Sequence, residues 1–264
     1  MFDESPARRP LLELTGIGKR YGAVTALESI DLAVMPGDVL AICGDNGAGK
    51  SSLIKIISGA EPPTAGAMTL NGEAVSFRSP HDALTKGVAT IYQDLALAPR
   101  LSIHENVFMG AELRRSVGLP FIRILDKPRM AREARGYLER LAVNIDDMRR
   151  PVEGLSGGQR QAVAISRALL WDAGIIIMDE PTAALGVKET AQVLGLIARL
   201  QAEGRTIILV SHNMVDVAKV ATRVAILKAG RKVADRRVAG LTPADLSEMI
   251  MTGERGKADE SGKG

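Results

Sequence analysis

The chain of 264 residues is long enough to bury a substantial core, and its 46% hydrophobic and 25% charged residues are usual for globular proteins. Aromatic residues make up only 3%, which argues against a surface that binds single-stranded nucleic acid by base stacking. The net charge of +3 is too small to indicate a polyanionic partner, so we expect no nucleic acid among the partners.

The single cysteine and the hydropathy of the chain limit its environment further. Cys43 cannot form an internal disulfide, which suits a reducing compartment, and we expect it to be a small core residue rather than a nucleophile. The sequence has no run of 18 or more apolar residues. A role at a membrane would therefore require a partner that spans it.

The first third of the chain is rich in predicted strands. Apolar alternation over 11–16 and 24–34 predicts two of them. The short apolar run 39–43 predicts a strand that is buried on both faces of a parallel sheet. Asn71 and Gly72 stand between two further strands and predict a type I′ hairpin, because both turn positions must adopt positive φ.

Capping residues mark the starts of several helices. Ser79 and Thr242 each precede a proline that would occupy the first helical position. Ser102 begins a capping box. Apolar residues at helical spacing predict a helix over 127–142, with its charged face in solvent.

The second half of the chain alternates strands with helices. The apolar runs 175–178 and 206–210 predict two more buried strands, with helical segments between and after them. This alternation is typical of an α/β protein with a parallel sheet. The polar residues 1–10 predict a flexible arm and the glycine-rich residues 253–264 a disordered tail, so the globular domain should span 11–252.

A glycine-rich segment after the strand 39–43 fits the pattern G-x-x-x-x-G-K-S and precedes an apolar helical stretch, which is the context of a phosphate-binding P-loop. Glycines let backbone amides approach phosphate, and the following helix presents the positive end of its dipole. Lys50 is expected to contact the β- and γ-phosphates, and Ser51 to bind Mg²⁺. The predicted nucleotide-binding residues are Gly44, Asp45, Asn46, Gly47, Ala48, Gly49, Lys50, Ser51 and Ser52.

Two carboxylates follow the apolar run 175–178. They should lie beyond the carboxyl end of a strand, where α/β sheets bind ligands. We expect Asp179 to reach Mg²⁺ through water and Glu180 to polarise an attacking water. In isolation the pair would indicate a solvated acidic turn, but beside a P-loop the catalytic interpretation is favoured.

The pentapeptide LSGGQ at 155–159, together with the P-loop and the acidic strand end, resembles the signature motif of ABC ATPases. The resemblance covers roughly residues 11–250 and implies an α/β fold of the P-loop NTPase, ABC ATPase type. It further implies an antiparallel β subdomain and a P-loop core within 11–93 and 166–252. A helical subdomain over 94–165 would carry the signature.

The resemblance also implies a second nucleotide contact. Ser156, Gly157, Gly158 and Gln159 would open a helix whose amides and hydroxyl form an anion site. In this family that site faces the P-loop of a partner subunit, so that ATP is held between two ATPase subunits. We expect a homodimer, although the sequence leaves open whether the second subunit is identical.

Three more positions match the family. Tyr21 stands where an aromatic ring stacks on adenine, although a lone tyrosine is more often simple packing. Gln93 matches the glutamine that touches Mg²⁺ and links to the membrane subunit, and His212 matches the histidine that contacts the γ-phosphate. The implied catalytic residues are Glu180, His212 and Gln93, and the implied metal ligands are Ser51, Gln93 and Asp179. His81 and His104 have no match and are expected on helix surfaces.

One position departs from the family pattern. Members usually carry an aspartate in the D-loop where this chain has Gly186 after Ala-Ala-Leu, and glycine supplies no carboxylate. Communication across the dimer at this loop is therefore in question. Because Glu180 is retained, we still expect hydrolysis, while a nucleotide-binding regulatory module without hydrolysis is the alternative that this departure favours.

The segment ATIYQDLALAPRLSIHENVFMGAEL and the DEPTAALGVKE stretch resemble the ATPases of bacterial ribose-, xylose- and fructose-type importers in their single-unit form. The resemblance implies an ATPase, with ATP and Mg²⁺ as cofactors, that energises sugar import through ATP-driven dimer closure. The implied location is peripheral, at the cytoplasmic face of the inner membrane. The implied partners are integral permease subunits and, indirectly, a periplasmic or extracellular solute-binding protein. An importer of another small solute, or an ABC-type ATPase acting on a soluble partner, remains an alternative.

Overall fold

A computed structural model gives the structure of residues 9–117, 121 and 123–253. The predicted flexible arm lies outside the described residues except for positions 9 and 10, and the predicted disordered tail lies outside them except for position 253. Within the described part of the chain, we find no helix with both the length and the apolar character needed to cross a membrane.

These residues form twelve strands and eight α-helices, with a short 3₁₀ turn at Val152–Gly154. The strands are β1 (Leu12–Tyr21), β2 (Val24–Val34), β3 (Val39–Cys43), β4 (Ala65–Leu70), β5 (Glu73–Val75), β6 (Val88–Ile91), β7 (Arg114–Ser116), β8 (Arg123–Leu125), β9 (Ile175–Asp179), β10 (Thr206–Val210), β11 (Arg223–Lys228) and β12 (Arg231–Arg237). The helices are α1 (Lys50–Ile57), α2 (Pro80–Thr85), α3 (Ile103–Val107), α4 (Lys127–Arg140), α5 (Gly157–Leu170), α6 (Val187–Ala202), α7 (Met214–Val220) and α8 (Pro243–Thr252).

A four-stranded antiparallel sheet has the order β2-β1-β4-β5. Asn71 and Gly72 join β4 to β5 and have φ angles of 54° and 81°. The predicted hairpin turn is therefore confirmed. Strand β1 continues to Tyr21, well past the predicted end at residue 16, because irregular pairing with β2 lets the chain pass Gly16 at a φ of 60° and remain in the sheet.

The second sheet has six strands in the order β12-β11-β3-β10-β9-β6. All neighbouring pairs are parallel except β11 and β12, which are antiparallel. The predicted strands β3 and β10 are buried along their whole length, as is β9 up to its last residue, Asp179. This confirms the α/β class. Since parallel strands end at the same edge, the loops after β3, β9 and β10 meet there.

Helices α3, α4 and α5 pack against one another and form a separate helical layer. Helix α4 buries Met130, Ala134 and Leu138, which follow the predicted helical spacing, and ends at Arg140. We propose 94–165 as the extent of this subdomain, although α5 itself continues to Leu170. The small hairpin of β7 and β8 in this region was not predicted, because its six residues are exposed and lack apolar alternation.

The predicted surface position of His104 is wrong. Its side chain is 3% exposed, with Nδ1 2.8 Å from the carbonyl oxygen of Met148 and 3.0 Å from the Ser102 hydroxyl. Helix α3 has only five residues, too few for a periodic pattern to reveal which face is buried. The capping box that begins at Ser102 is present as predicted, and His81 is exposed as predicted.

Candidate active site

A cavity of about 600 Å³ opens where the loops after β3, β9 and β10 meet. It brings together most of the residues predicted to bind or hydrolyse nucleotide. Those on its wall are Tyr21, Asn46, Gly47, Gly49, Lys50, Ser51, Ser52, Gln93, Asp179, Glu180 and His212. Gly44, Asp45 and Ala48 belong to the same loop without lining the cavity. No sequence pattern predicted the residues that complete the wall, which are Val24, Thr25, Ala26, Ala183 and Val210.

Three glycines determine the backbone conformation of the P-loop. Gly44, Gly47 and Gly49 have φ angles of 151°, 81° and 104°. Residues with a Cβ atom rarely adopt such angles. A Cβ atom on Gly49 would also lie 2.7 Å from the carbonyl oxygen of Ala26, so β2 leaves no room for one. The Lys50 ammonium donates to the carbonyl oxygens of Gly44 at 2.7 Å and Asp45 at 3.0 Å, which holds it within the loop.

The carboxylates at the end of β9 lie in different surroundings. Asp179 is half-buried, and burial, together with the negative charge of Glu180, raises its pKa despite the nearby Lys50. Glu180 has a φ of 48°, uncommon for a residue with a side chain, and its N–H donates to Val210 at the end of β10. Its Oε1 lies 2.8 Å from Nδ1 of His212, whose side chain is 72% exposed. The pair therefore stands at the mouth of the cavity.

The oxygen atoms of the side chains in the cavity suit a hard cation, such as Mg²⁺, that binds together with phosphate. Among the residues described, no group of three or more His, Cys, Asp or Glu side chains could hold a metal ion by itself. Ser51, Gln93 and Asp179 nevertheless line this cavity and offer oxygen atoms. Mg²⁺ commonly takes few protein ligands and completes its shell with water and phosphate oxygens. A cation beside Asp179 would also offset the burial that raises its pKa. These residues therefore fit Mg²⁺.

The segment after Gln93 is held by the helical layer. Arg167 on α5 donates to the carbonyl oxygens of Leu95 and Ala96, both at 3.2 Å. The buried amide of Asn106 on α3 holds the backbone of Ala98, accepting from its N–H at 2.8 Å and donating to its oxygen at 3.1 Å. Movement of α5 or α3 would therefore pull on the loop that carries Gln93.

Tyr21 is fixed by a charged cluster that no sequence pattern predicted. Its hydroxyl donates to Glu61 at 2.6 Å, and the Lys19 ammonium lies 5.1 Å from the centre of its ring. Lys19 and Lys55 each lie 3.0 Å from the Glu61 carboxylate. The bond from Tyr21 and those from the two lysines lower the pKa of Glu61 to about 2. Glu61 lies 40 positions away from Tyr21, so no local pattern could reveal the contact.

Replacing Glu61 with alanine is expected to raise the KM for ATP roughly three- to tenfold with little change in kcat. The substitution removes the hydrogen bond that fixes the Tyr21 ring, which weakens stacking on adenine and leaves the residues around the phosphates unchanged. Phosphate release measured against ATP concentration gives both constants. Glu73→Ala, at an exposed position of β5, is the matched control. A lower kcat at unchanged KM would contradict the role given to Tyr21.

The signature residues lie outside this cavity. Ser156 caps α5, accepting from the N–H of Gln159 at 3.3 Å, while the Gln159 side chain accepts from the N–H of Ser156 at 3.1 Å. A Cβ atom on Gly157 would lie 2.5 Å from Leu185, and one on Gly158 would lie 2.6 Å from the Gln192 side chain. A side chain at either glycine would displace the end of a neighbouring side chain, so α5 packs closely against α6 and the loop before it, independently of any ligand.

The sequence is related to proteins of known role. A profile of the family described as ABC transporter matches residues 27–183, which include the P-loop, Gln93, the LSGGQ segment and Glu180. The chain is 46% identical to the fructose import ATP-binding protein FrcA of Rhizobium meliloti, over 94% of this chain and 96% of that protein. It is 40% identical to the xylose/arabinose import ATP-binding protein XylG of Sulfolobus acidocaldarius, over 94% and 97% of the two chains.

The fold is also similar to that of a solved structure. The ATP-binding cassette MJ0796, in a dimeric post-hydrolysis state bound to ADP and Pi, superposes with a TM-score of 0.70. The two proteins are 25% identical, and the match covers 87% of this chain and 100% of the MJ0796 chain. The likeness therefore extends over both sheets and the helical layer.

Proposed function

Because the chain belongs to the ABC transporter family, we propose that it is the ATP-binding and hydrolysing subunit that energises an importer of a simple sugar. The observation that carries the proposal is the identity of 46% with a fructose import ATP-binding protein along nearly the whole length of both chains. The expected resemblance to sugar-importer ATPases is thereby confirmed. The cavity at the ends of β3, β9 and β10 supplies the groups that such an ATPase needs.

Within this proposal, ATP lies in the cavity with its triphosphate against the P-loop and its adenine against Tyr21. Lys50 exchanges its carbonyl contacts for the β- and γ-phosphates. Mg²⁺ held at Ser51, Gln93 and Asp179 would neutralise phosphate charge. Glu180 orients the attacking water and takes up its proton, while His212 fixes the Glu180 carboxylate and reaches toward the γ-phosphate.

We propose that ATP is hydrolysed by a dimer of ATPase subunits. The signature residues lie outside the cavity of their own chain, which supports their facing the phosphates of a second ATPase subunit. ATP would then favour the closed dimer, because only there does it contact both chains. We propose that closure of the dimer moves permease subunits at the cytoplasmic face of the membrane. The specificity for the sugar then lies with these subunits and with an external solute-binding protein.

The proposal is tested by isolating the tagged chain from its native host in mild detergent. We expect integral permease subunits to co-purify. After the complex is reconstituted into vesicles with the solute-binding protein, the vesicles should take up labelled fructose or xylose only when ATP is supplied. Uptake should stop when ATP is replaced by a non-hydrolysable analogue. An active ATPase that co-purifies with soluble proteins alone would contradict the importer role.

A further inference from the structure

The loop between β9 and α6 ends at Gly186, where the family resemblance leads one to expect an aspartate. Gly186 is the residue that precedes α6, and its backbone is extended, with φ of −70° and ψ of 169°. Such a conformation is open to any residue, so backbone strain does not require glycine here. No side chain at this position caps the helix. The first turn of α6 is therefore without the carboxylate that an aspartate would bring.

A different carboxylate fills this space. A Cβ atom on Gly186 would lie 2.7 Å from Oε2 of Glu189 and 3.8 Å from its Cδ, so Glu189 folds back along the first turn of α6. It is half-buried, and among the described residues no hydrogen bond or ion pair engages its carboxylate. The positive end of the helix dipole favours a negative charge at this place. The acceptor atoms of Glu189 remain available to another molecule.

Glu189 also borders the signature segment. A Cβ atom on Gly157 would lie 4.0 Å from Cγ of Glu189 and 2.5 Å from Cδ2 of Leu185. The loop before α6, the start of α5 and the Glu189 side chain therefore form one continuous surface. On the proposed function, this surface is the one that faces the partner subunit.

We propose that Glu189 supplies, from the first turn of α6, the D-loop carboxylate that Gly186 lacks. It is a positioning residue that accepts hydrogen bonds from the partner subunit and so aligns the partner's catalytic groups. Glycine at 186 is then part of the arrangement, because a side chain there would displace the Glu189 carboxylate. The inference rests on the proposed dimeric ATPase and deepens it.

The test separates the charge of Glu189 from its effect on the helix. Glu189→Gln keeps the size of the side chain and is expected to lower ATP turnover about tenfold, with monomer ATP binding unchanged. In the double variant Gly186→Asp/Glu189→Ala, turnover should return toward that of the wild type. Gly186→Asn/Glu189→Ala is the matched control, because asparagine caps a helix as well as aspartate does but carries no charge. Thermal unfolding of all variants reports on the helix cap.

Equal rescue by aspartate and asparagine would overturn the inference, since a cap alone would then explain the effect. Full turnover in Glu189→Gln, or no rescue by aspartate in a folded protein, would overturn it as well. Failure of the proposed function would look different, because the wild-type protein itself would then show no ATP hydrolysis or no permease partner.

Discussion

Replacement of Glu180 with glutamine is expected to lower ATP turnover about a thousandfold while ATP binding stays intact. Glutamine keeps the size of the side chain and cannot accept the proton of the attacking water. Lys50, Ser51 and the rest of the P-loop are untouched, so the triphosphate should still bind. Since the closed dimer normally reopens after hydrolysis, the variant should accumulate as an ATP-bound dimer.

ATP turnover is measured by phosphate release, and ATP binding by equilibrium titration with a fluorescent ATP analogue. Gel filtration with ATP measures the amount of dimer. Glu13→Gln, at an exposed position of β1, is the matched control and should behave as the wild type does. Wild-type turnover in the Glu180 variant would rule out Glu180 as the catalytic base. Loss of binding would show instead that the substitution disturbs the cavity.

The second large effect is expected from Ser156→Arg, which should lower turnover about a hundredfold without weakening ATP binding to the isolated monomer. Ser156 lies at the start of α5 and outside the cavity of its own chain, so an arginine there leaves that cavity unchanged. In the dimer, the long side chain would occupy the place proposed for the partner's γ-phosphate. Closure around ATP should therefore fail.

Binding is measured on dilute monomer and dimer formation by gel filtration in the Glu180→Gln background. Ser116→Arg, at an exposed position of β7, controls for the added charge. The Ser156 substitution also removes a helix cap worth about 1 kcal/mol, so thermal unfolding must be compared. Weaker ATP binding by the folded monomer would contradict the placement of Ser156 in the partner's site.

The parts of this protein that were predictable from sequence are those that local chemistry determines. The run 39–43 is apolar throughout, and 206–210 is apolar after Thr206, because both faces of their strands are buried. Asn71 and Gly72 tolerate positive φ, and Ser102 offers a capping hydroxyl, so the turn and the helix start were readable from a few residues. The spacing of glycines and Lys50 located the P-loop for the same reason.

The features that were missed depend on contacts between distant segments. The burial of His104 follows from a carbonyl 44 positions away, at Met148. Glu61 meets Tyr21 only because β1 and the segment before β4 lie side by side in the folded chain. The packing of Gly157 against Leu185 likewise joins the start of α5 to the loop before α6, which are separate in sequence. Local patterns contain no information about such pairs.

The burial of Cys43 decides how closure of the dimer can be observed. Its side chain is fully buried, and burial raises the pKa of its thiol to about 12, so almost no reactive thiolate forms near neutral pH. A maleimide dye should therefore react with a cysteine introduced at the surface and leave Cys43 unmodified. Fluorescence energy transfer between two labelled copies can then follow the ATP-driven motion without removing the natural cysteine.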